Sequence, residues 1–390
     1  MSIFSKPKKE KESVLIFDIG SSSVGGAVFE SNKGGIPKIV QSIREPITLE
    51  NKIDPVSFFN ATIKSIQSVG SRICMSTDRR PTKIFCVLSS PWYASQTRVI
   101  KLEKNFPFIF NSKIADDLIK KEIKLFEEEQ MSKFSGIDKK VRLIEFKNIQ
   151  TILNGYATSS PFEKKASKVE MVVFISISGE KILKEVENII FRHFHTRDVK
   201  FSSFAISSFA VVRDVFPEKE NFLLVDVGGE VTEISMIKKD VLSSSVSYPL
   251  GRNFMIREIA KKLRVSLSEA GSLFSLYKDG HAAESIEKKL ELAIKELRTE
   301  WLKKFQESLT NISEDISIPS TIFITADQDF LDFFGEVIKN EQFNQYTLTD
   351  SKFNTILLDA YALRDFAVFK ENIERDPFLI IESVYINRII

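Results

Sequence analysis

The sequence predicts an α/β protein with two similar lobes. Two observations lead to this fold class. A strand–Asp-x-Gly–hairpin unit occurs twice, in residues 14–41 and again in residues 221–247, and strands alternate with helical segments over much of the chain. A unit repeated early and past mid-chain indicates two lobes with similar sheets, and the alternation indicates mixed sheets flanked by helices.

The first unit begins with an apolar strand at residues 14–17 that ends in Asp18. Residues 24–30 and 36–41 are predicted as the next two strands, since their apolar residues fit a half-buried sheet. Four small residues form the turn between the first two strands: Gly20, Ser21, Ser22 and Ser23.

The second unit repeats this plan at residues 221–227, an apolar strand that carries Asp226. Gly228 and Gly229 form its turn, and Glu230 follows them. Further strands are predicted at residues 231–237 and 241–247. A single Gly-Ser turn is a weak signal, because such turns close many ordinary hairpins, whereas the pair is far more specific.

Turns of this kind direct backbone N–H groups, and in the first unit hydroxyls, towards one point beside a carboxylate. Such a group of donors suits a phosphate with bound Mg²⁺, whose waters the carboxylate holds. Asp18 and Asp226 are therefore the predicted metal-binding and catalytic residues. Two such turns that face each other across a cleft would bind one polyphosphate from both sides.

These motifs resemble the two phosphate motifs of the actin and heat-shock-chaperone ATPase superfamily. Within it, the chain is most similar to the bacterial group of FtsA (cell division) and PilM (type IV pilus assembly). Asn154-Gly155-Tyr156, followed by a strand at 171–176, resembles the small subdomain of that group. Residues 248–253, with Gly251, resemble the segment after its second phosphate loop. The resemblance covers roughly residues 14–370.

The resemblance implies an actin-like (ribonuclease H-like) two-lobed fold with duplicated mixed sheets and a small inserted α+β subdomain. It implies Mg²⁺ and ATP between the lobes, and at most slow ATP hydrolysis. The implied ligands of the nucleotide are Gly20, Ser21, Ser22, Ser23, Gly228, Gly229, Glu230 and Gly251. The expected domains are a flexible tail (1–12), a first lobe (13–110), the small subdomain (111–197), a second lobe (198–370) and a C-terminal tail (371–390).

The sequence also departs from the superfamily pattern, mainly on the adenosine side. Gly271 and Phe274 stand where a Glu and a Lys would reach the ribose and base, and Ala326 and Asp327 replace a Gly-Gly pair that would lie against adenine. Glu230 occupies a position where a small residue is usual. A carboxylate at ~4 Å from a phosphate charge is repulsive by about 4 kcal/mol at an effective dielectric of about 20, unless a cation intervenes.

Composition fits a cytoplasmic protein. The chain of 390 residues is 43% hydrophobic, which suffices for two cores, and its net charge of +2 gives no indication of nucleic-acid binding. Cys74 and Cys86, the two cysteines, are expected as core thiols, and the three histidines are too scattered for a metal site. We expect no signal peptide and no membrane-spanning segment.

The remaining segments complete the pattern. Helical spacing occurs at 55–69, 111–130, 180–195, 202–215, 253–264, 266–278, 283–309 and 329–339, and strands are expected at 83–90, 321–325 and 353–359. Trp92 and Tyr93 are expected in the core, with surface recognition as the alternative. Residues 377–390 have Arg388 as their only cation. An extra strand or a packed terminal segment is therefore expected there rather than a lipid-binding helix.

Three functions stay open at this stage. The first is a nucleotide-responsive scaffold at the inner face of the cell membrane, with a division role favoured over a pilus role. Its protein partners would bind the small subdomain, and it would self-associate into dimers or filaments. The second is a scaffold of the same fold that no longer binds nucleotide. The third is a sugar or acetate kinase.

Overall fold

The computed structural model describes residues 12–32, 34–77, 80–134, 136–282, 284–312, 318–343 and 352–390. Apart from Glu12, the predicted flexible tail lies outside these residues. Elements are numbered in chain order. The strands are β1 (Ser13–Ile19), β2 (Ser23–Glu30), β3 (Lys38–Pro46), β4 (Lys83–Leu88), β5 (Tyr93–Phe110), β6 (Val141–Leu153), β7 (Tyr156–Ala157), β8 (Lys164–Gly179), β9 (Val199–Ser203), β10 (Phe222–Val227), β11 (Thr232–Lys238), β12 (Val241–Tyr248), β13 (Thr321–Ala326), β14 (Asn354–Leu357) and β15 (Val368–Phe369).

The helices lie close to the segments with helical spacing. They are α1 (Pro55–Ser76), α2 (Ser112–Phe134), α3 (Glu180–Phe194), α4 (Phe204–Val215), α5 (Arg252–Leu263), α6 (Leu267–Lys278), α7 (Glu284–Ile312), α8 (Gln328–Asn340) and α9 (Pro377–Ile389). Local chemistry explains several of their starts. The Asp54 carboxylate accepts from the Ser57 N–H before α1, and the Ser266 hydroxyl accepts from the Glu269 N–H before α6.

The two large sheets share one topology, which confirms the predicted duplication. In the first lobe the order is β15-β3-β2-β1-β4-β9, and in the second it is β12-β11-β10-β13-β14. In each lobe the acid-bearing strand, β1 or β10, pairs antiparallel with the strand after the turn and parallel with a later strand, β4 or β13. Asp18 and Asp226 therefore lie at equivalent ends of equivalent strands.

A third sheet, in the order β5-β8-β6-β7, forms the small subdomain. Its strands lie between Tyr93 and Gly179, and α2 packs on one face through apolar side chains such as Phe126. The expected domain limits at 111 and 197 remain predictions. β5 and β12 are both edge strands of their sheets, and they meet where the small subdomain approaches the second lobe.

The C-terminal segment is a packed helix, so the expected alternative of an extra strand is wrong. α9 packs against α4, β1 and β2, and Leu379 and Ile386 are fully buried. One apolar cluster joins this helix to both lobes, since it contains Val14 from β1 and Phe222 from β10. The two lobes and α9 therefore share one continuous apolar core. Among the described residues, we find no helix with the length and apolar character needed to cross a bilayer.

Candidate functional site

Asp18 at the end of β1 is bound by an arginine of the same lobe. Arg44 lies on β3, and its Nη2 is 2.7 Å from Asp18 Oδ2. The arginine reaches Asp18 across β2 because Gly25, the residue between them in the sheet register, has no side chain. A Cβ atom on Gly25 would lie 2.8 Å from Arg44 Nη2. The glycine thus opens the path for the ion pair.

The same guanidinium contacts two more groups. Arg44 Nη1 donates to Ser23 Oγ at 2.8 Å, and Arg44 Nε donates to Asp376 Oδ2 at 2.5 Å. Burial raises the pKa of Asp18, and the charge of Arg44 opposes that rise. Asp18 is 2% exposed, so its carboxylate faces the arginine and the protein interior rather than solvent.

Among the residues that the structure describes, no cation pairs with Asp226, the equivalent acid of the second lobe. Thr325 Oγ1 donates to Asp226 Oδ1 at 2.8 Å. Burial raises the pKa of Asp226 to about 8, and the charges of Glu233 and Asp18 add to the rise. The contribution from Asp18 means that the two acids are electrostatic neighbours. At neutral pH Asp226 is mainly protonated, which makes it a poor ligand for a hydrated divalent cation.

The two glycine turns lie in direct contact. Ser21 Oγ accepts a hydrogen bond from the Glu230 N–H at 3.0 Å. A Cβ atom on Gly229 would lie 2.6 Å from the carbonyl oxygen of Ser21 and 2.6 Å from the Ser22 nitrogen. The structure therefore brings the predicted turns together, but they contact each other across the space where a polyphosphate was expected.

Two backbone amides of the turns donate to carbonyl groups within their own turns. The Gly20 N–H donates to the Ser23 carbonyl at 3.2 Å, and the Gly228 N–H donates to the Val231 carbonyl at 3.0 Å. The first amides of α5 donate to the second turn, because the Arg252 N–H reaches the Gly228 carbonyl at 3.0 Å. Gly251 permits this approach, since a Cβ atom there would lie 2.3 Å from that carbonyl oxygen.

The cation that Glu230 requires is supplied by the protein. Arg257 on α5 binds the carboxylate through two nitrogens, at 2.6 and 2.7 Å, and Asn253 Nδ2 donates to it at 2.8 Å. Arg257 Nε also donates to the Glu50 carbonyl of the first lobe at 2.7 Å. Glu230 thus belongs to a contact between the lobes, and its charge is paired.

Residues on the predicted adenosine side contact each other. Phe274 is buried and stacks on Phe330 with ring centroids 4.3 Å apart. Asp327 forms an ion pair with Arg252 at 2.5 Å, which supplies the partner that the sequence did not show. Ala326 is buried in β13, and no atom lies within 4 Å of a Cβ atom built on Gly271.

A cavity of about 560 Å³ lies between the lobes beside the first turn, since Ser22 and Ser23 are among its lining residues. Charged groups of both signs line it, including Arg44, Arg252, Asp327 and Asp376, and neither Asp18 nor Asp226 is among its lining residues. Within the described ranges, no group of three or more His, Cys, Asp or Glu side chains is arranged to hold a metal ion. The assignment of these residues to magnesium and nucleotide binding remains a prediction.

A second polar site lies where the small subdomain contacts the second lobe. Glu233 on β11 is 7% exposed. Ser90 Oγ donates to its Oε2 at 2.5 Å, and the Tyr93 hydroxyl lies 2.7 Å from its Oε1. Tyr93 and Trp92 are both buried, as expected, and Trp92 Nε1 donates to the Gly20 carbonyl at 2.8 Å. The aromatic pair therefore links this junction to the first turn.

Beside Glu233, a groove separates the unpaired edges of β5 and β12. Thr97 Oγ1 donates to the Leu242 carbonyl where the strands meet, and beyond that point they enclose about 280 Å³. We call this feature the β5–β12 groove. Its lining includes residues 93–95 of the first edge, residues 245–249 of the second, and Lys133 at the end of α2.

Sequence reasoning missed the cations and the groove. Arg44 and Arg257 lie in segments without a recognisable motif, and the one available signal was the glycine pair inside β2, where a strand normally carries side chains. No motif in the sequence points to Glu233. It lies on β11, where all residues from Thr232 to Ile237 are buried.

Comparisons with known proteins show the fold. No family model and no curated protein matches the chain. Among solved structures, the PilM–PilN type IV pilus biogenesis complex is similar with a TM-score of 0.60 and 13% identity, over 96% of each chain. The ethanolamine utilization protein EutJ from Carboxydothermus hydrogenoformans has a TM-score of 0.45 at 10% identity, over 98% of this chain and 92% of that one. A Bacteroides thetaiotaomicron protein with an actin-like ATPase fold has a TM-score of 0.34 at 10% identity, over 67% and 81%. Together with the duplicated sheets, the first of these similarities establishes that the chain has an actin-like ATPase fold of the PilM kind.

Proposed function

We propose that this protein is an actin-fold adaptor that binds an extended segment of a partner protein in the β5–β12 groove. The observation that carries the proposal is the meeting of two unpaired strand edges across an open groove. Each edge carries backbone N–H and C=O groups that a third strand can bind, as in recognition by strand addition. An extended polypeptide is the ligand that such a pair of edges accepts.

Side chains in the groove favour a segment with a carboxylate. Lys133 is exposed and has no ion pair among the described residues; burial lowers the pKa of its ammonium group, and the charge of Glu233 opposes that change. Ser95 Oγ is buried and has no hydrogen-bond partner among the described residues. An acidic side chain or a terminal carboxylate in the bound segment would pair with the lysine and accept from the serine.

The biological setting proposed is assembly of a membrane machinery at the inner face of the cell membrane, as in the pilus type. The similar solved structure is a complex of PilM with PilN, which supports a protein partner. Mg-ATP binding forms no part of this proposal, because the turns and acids are bound within the protein. The division role expected from the sequence stays a prediction. A deletion strain separates the two: loss of surface pili with normal cell length supports the pilus role, and filamentous cells support the division role.

Site-specific photocrosslinking in cells tests the groove itself. A photoreactive residue at Ser247, on the groove edge, should capture one partner segment that the same residue at Leu292, on the exposed side of α7, does not capture. The captured segment, made as a peptide, should lose about tenfold in affinity, or 1.4 kcal/mol, for Lys133→Glu. Lys124→Glu, on the exposed side of the same helix, is the matched control and should leave affinity unchanged. Equal capture at both positions, or equal affinity of both variants, would rule out the groove as the binding site.

A further inference from the structure

In the first acid-bearing turn, an arginine of the protein binds the acid and two further side chains. This residue is Arg44, which binds Asp18 of β1, Ser23 of β2 and Asp376 before α9. A guanidinium presents its donors in a fixed planar fork, so one arginine can bind several oxygens at defined positions. Its place beside Asp18 is where the sequence led us to expect a hydrated Mg²⁺.

The C-terminal helix holds the arginine in place. Asp376 accepts from the N–H groups of Phe378 and Leu379 through Oδ1, at 3.0 and 3.1 Å, while its Oδ2 binds Arg44. The Phe378 ring lies 5.3 Å from the guanidinium carbon. Asp376 thus caps α9 and binds the arginine at once, so the helix and the ion pair support each other.

Glu382, one turn further along α9, is fully buried near the same cluster. Burial raises its pKa well above the usual range, and the negative charge of Asp18 adds to the rise. The Arg44 guanidinium is thus the cation that the carboxyl groups of Asp18 and Asp376 share, and it is supplied by the chain rather than by an ion from solution.

Contacts between the lobes are also present without a nucleotide. The Glu230 N–H donates to Ser21 Oγ at 3.0 Å, and Arg257 Nε donates to the Glu50 carbonyl at 2.7 Å. In a protein whose lobes close around Mg-ATP, the ligand would supply this bridge. Here backbone and side chains of the chain supply it.

We propose that Arg44, fixed by the C-terminal helix, is a built-in cation that takes the place of magnesium beside Asp18, while the contacts of Ser21 with Glu230 and of Arg257 with Glu50 hold the lobes together without a nucleotide. The lobe angle is then independent of nucleotide. The consequence is a scaffold of constant shape, whose partner binding is not switched by ATP. This inference concerns the cleft alone and stands apart from the β5–β12 groove.

Calorimetric titration of Mg-ATP and Mg-ADP into the full chain is the first test. We expect no saturable heat up to about 1 mM ligand, which sets Kd above that value. Saturable binding of either ligand with Kd below about 100 μM would overturn the proposal. A failure here leaves the groove experiments unaffected, because they involve other residues.

Hydrogen exchange provides the second test, on the unliganded protein. Peptides that cover residues 18–25 and 376–382 should be protected without nucleotide, and in Arg44→Gln they should exchange about tenfold faster. Arg44→Lys, which keeps the charge, should restore part of the protection. Arg72→Gln is the control, since Arg72 pairs with the neighbouring Glu45 at the surface. Protection that appears only after Mg-ATP is added, or that is equal in wild type and Arg44→Gln, would contradict a built-in cation.

Discussion

The two acid-bearing turns have the same topology and neutralise their acids by different means. Asp18 in the first lobe is bound by the permanent cation Arg44 at 2.7 Å. Asp226 in the second lobe accepts from the Thr325 hydroxyl and has no ion pair within the described part of the chain, and burial raises its pKa to about 8. One acid is neutralised by an arginine and the other by a proton. Duplicated sheets therefore place two carboxylates in equivalent positions, while residues outside the repeated unit determine their charge.

This difference shows that the fold determines the position of each acid but not its charge. Strand pairing fixes the position of each acid, since β1 and β10 have equivalent neighbours. The charge of each acid depends on one further side chain and on burial. Substitutions at Arg44, Asp226 and Gly229 test this difference between a cation-paired acid and a protonated one.

Removal of the cation should have the largest effect. Arg44→Met leaves Asp18 and Asp376 buried beside each other without a counter-charge, and loss of one partner of a buried ion pair typically costs about 3–5 kcal/mol. Urea unfolding at neutral pH measures this loss directly. The control is Arg72→Met, which removes a pair that is half exposed and should cost less than about 1 kcal/mol.

A second substitution decides whether the loss comes from the unpaired charge. Asp18→Asn in the Arg44→Met background removes one of the two anions, so the double variant should recover part of the lost stability. If Arg44→Met is no less stable than Arg72→Met, Arg44 does not neutralise a buried charge, and the contrast between the two turns fails.

Asp226→Asn should change the pH dependence of stability. The acid titrates near 3.8 when unfolded and at about 8 when folded, so between these values the folded state holds a proton that the unfolded state has lost. Stability contributed by this group is complete at low pH and falls as pH rises through that window. From about pH 5 to about pH 7 the fall is on the order of 2–3 kcal/mol.

The asparagine variant should lack this fall, because its amide does not titrate and its oxygen still accepts from Thr325. Thermal unfolding at several pH values, as the difference between wild type and variant, isolates the group from the other acids. Asp365→Asn, at an exposed acid, should reproduce the wild-type profile. A profile for Asp226→Asn that parallels wild type would show that Asp226 is ionised at neutral pH.

The sequence predicted the duplicated strand units, but it did not predict which charged side chains pair with each other. Strand–Asp-x-Gly units are local patterns, since the apolar period and the turn glycines lie within a few residues of each other. The pairing of Arg44 with Asp376 joins positions 332 residues apart, and no local rule connects them. The resemblance to an ATPase family correctly led to the fold, whereas its assignment of the turns to a nucleotide remains a prediction.

Asp327 and Glu230 illustrate the same limit. Each stood out in the sequence as a charge without a partner, and each is paired with an arginine of α5, Arg252 or Arg257. The helix was predicted from its spacing, but which of its side chains face the turn depends on how it packs against the second sheet. A charge that lacks a local partner therefore indicated a distant arginine here, and only the tertiary structure could identify it.

The smallest effect is expected at the contact between the turns. In Gly229→Ala the new Cβ atom would lie 2.6 Å from backbone atoms of Ser21, which cannot rotate away as a side chain could. The turns must separate slightly, and overpacking of this kind costs about 1–3 kcal/mol. Gly271→Ala, in α6, is the matched control. No atom lies within 4 Å of a Cβ atom built there, so the substitution should stabilise the helix by about 0.5–1 kcal/mol. Urea unfolding of both variants measures the two effects with opposite signs. If Gly229→Ala is as stable as wild type, the two turns are not packed together in solution, and each acid would have to be considered in a cleft open to solvent.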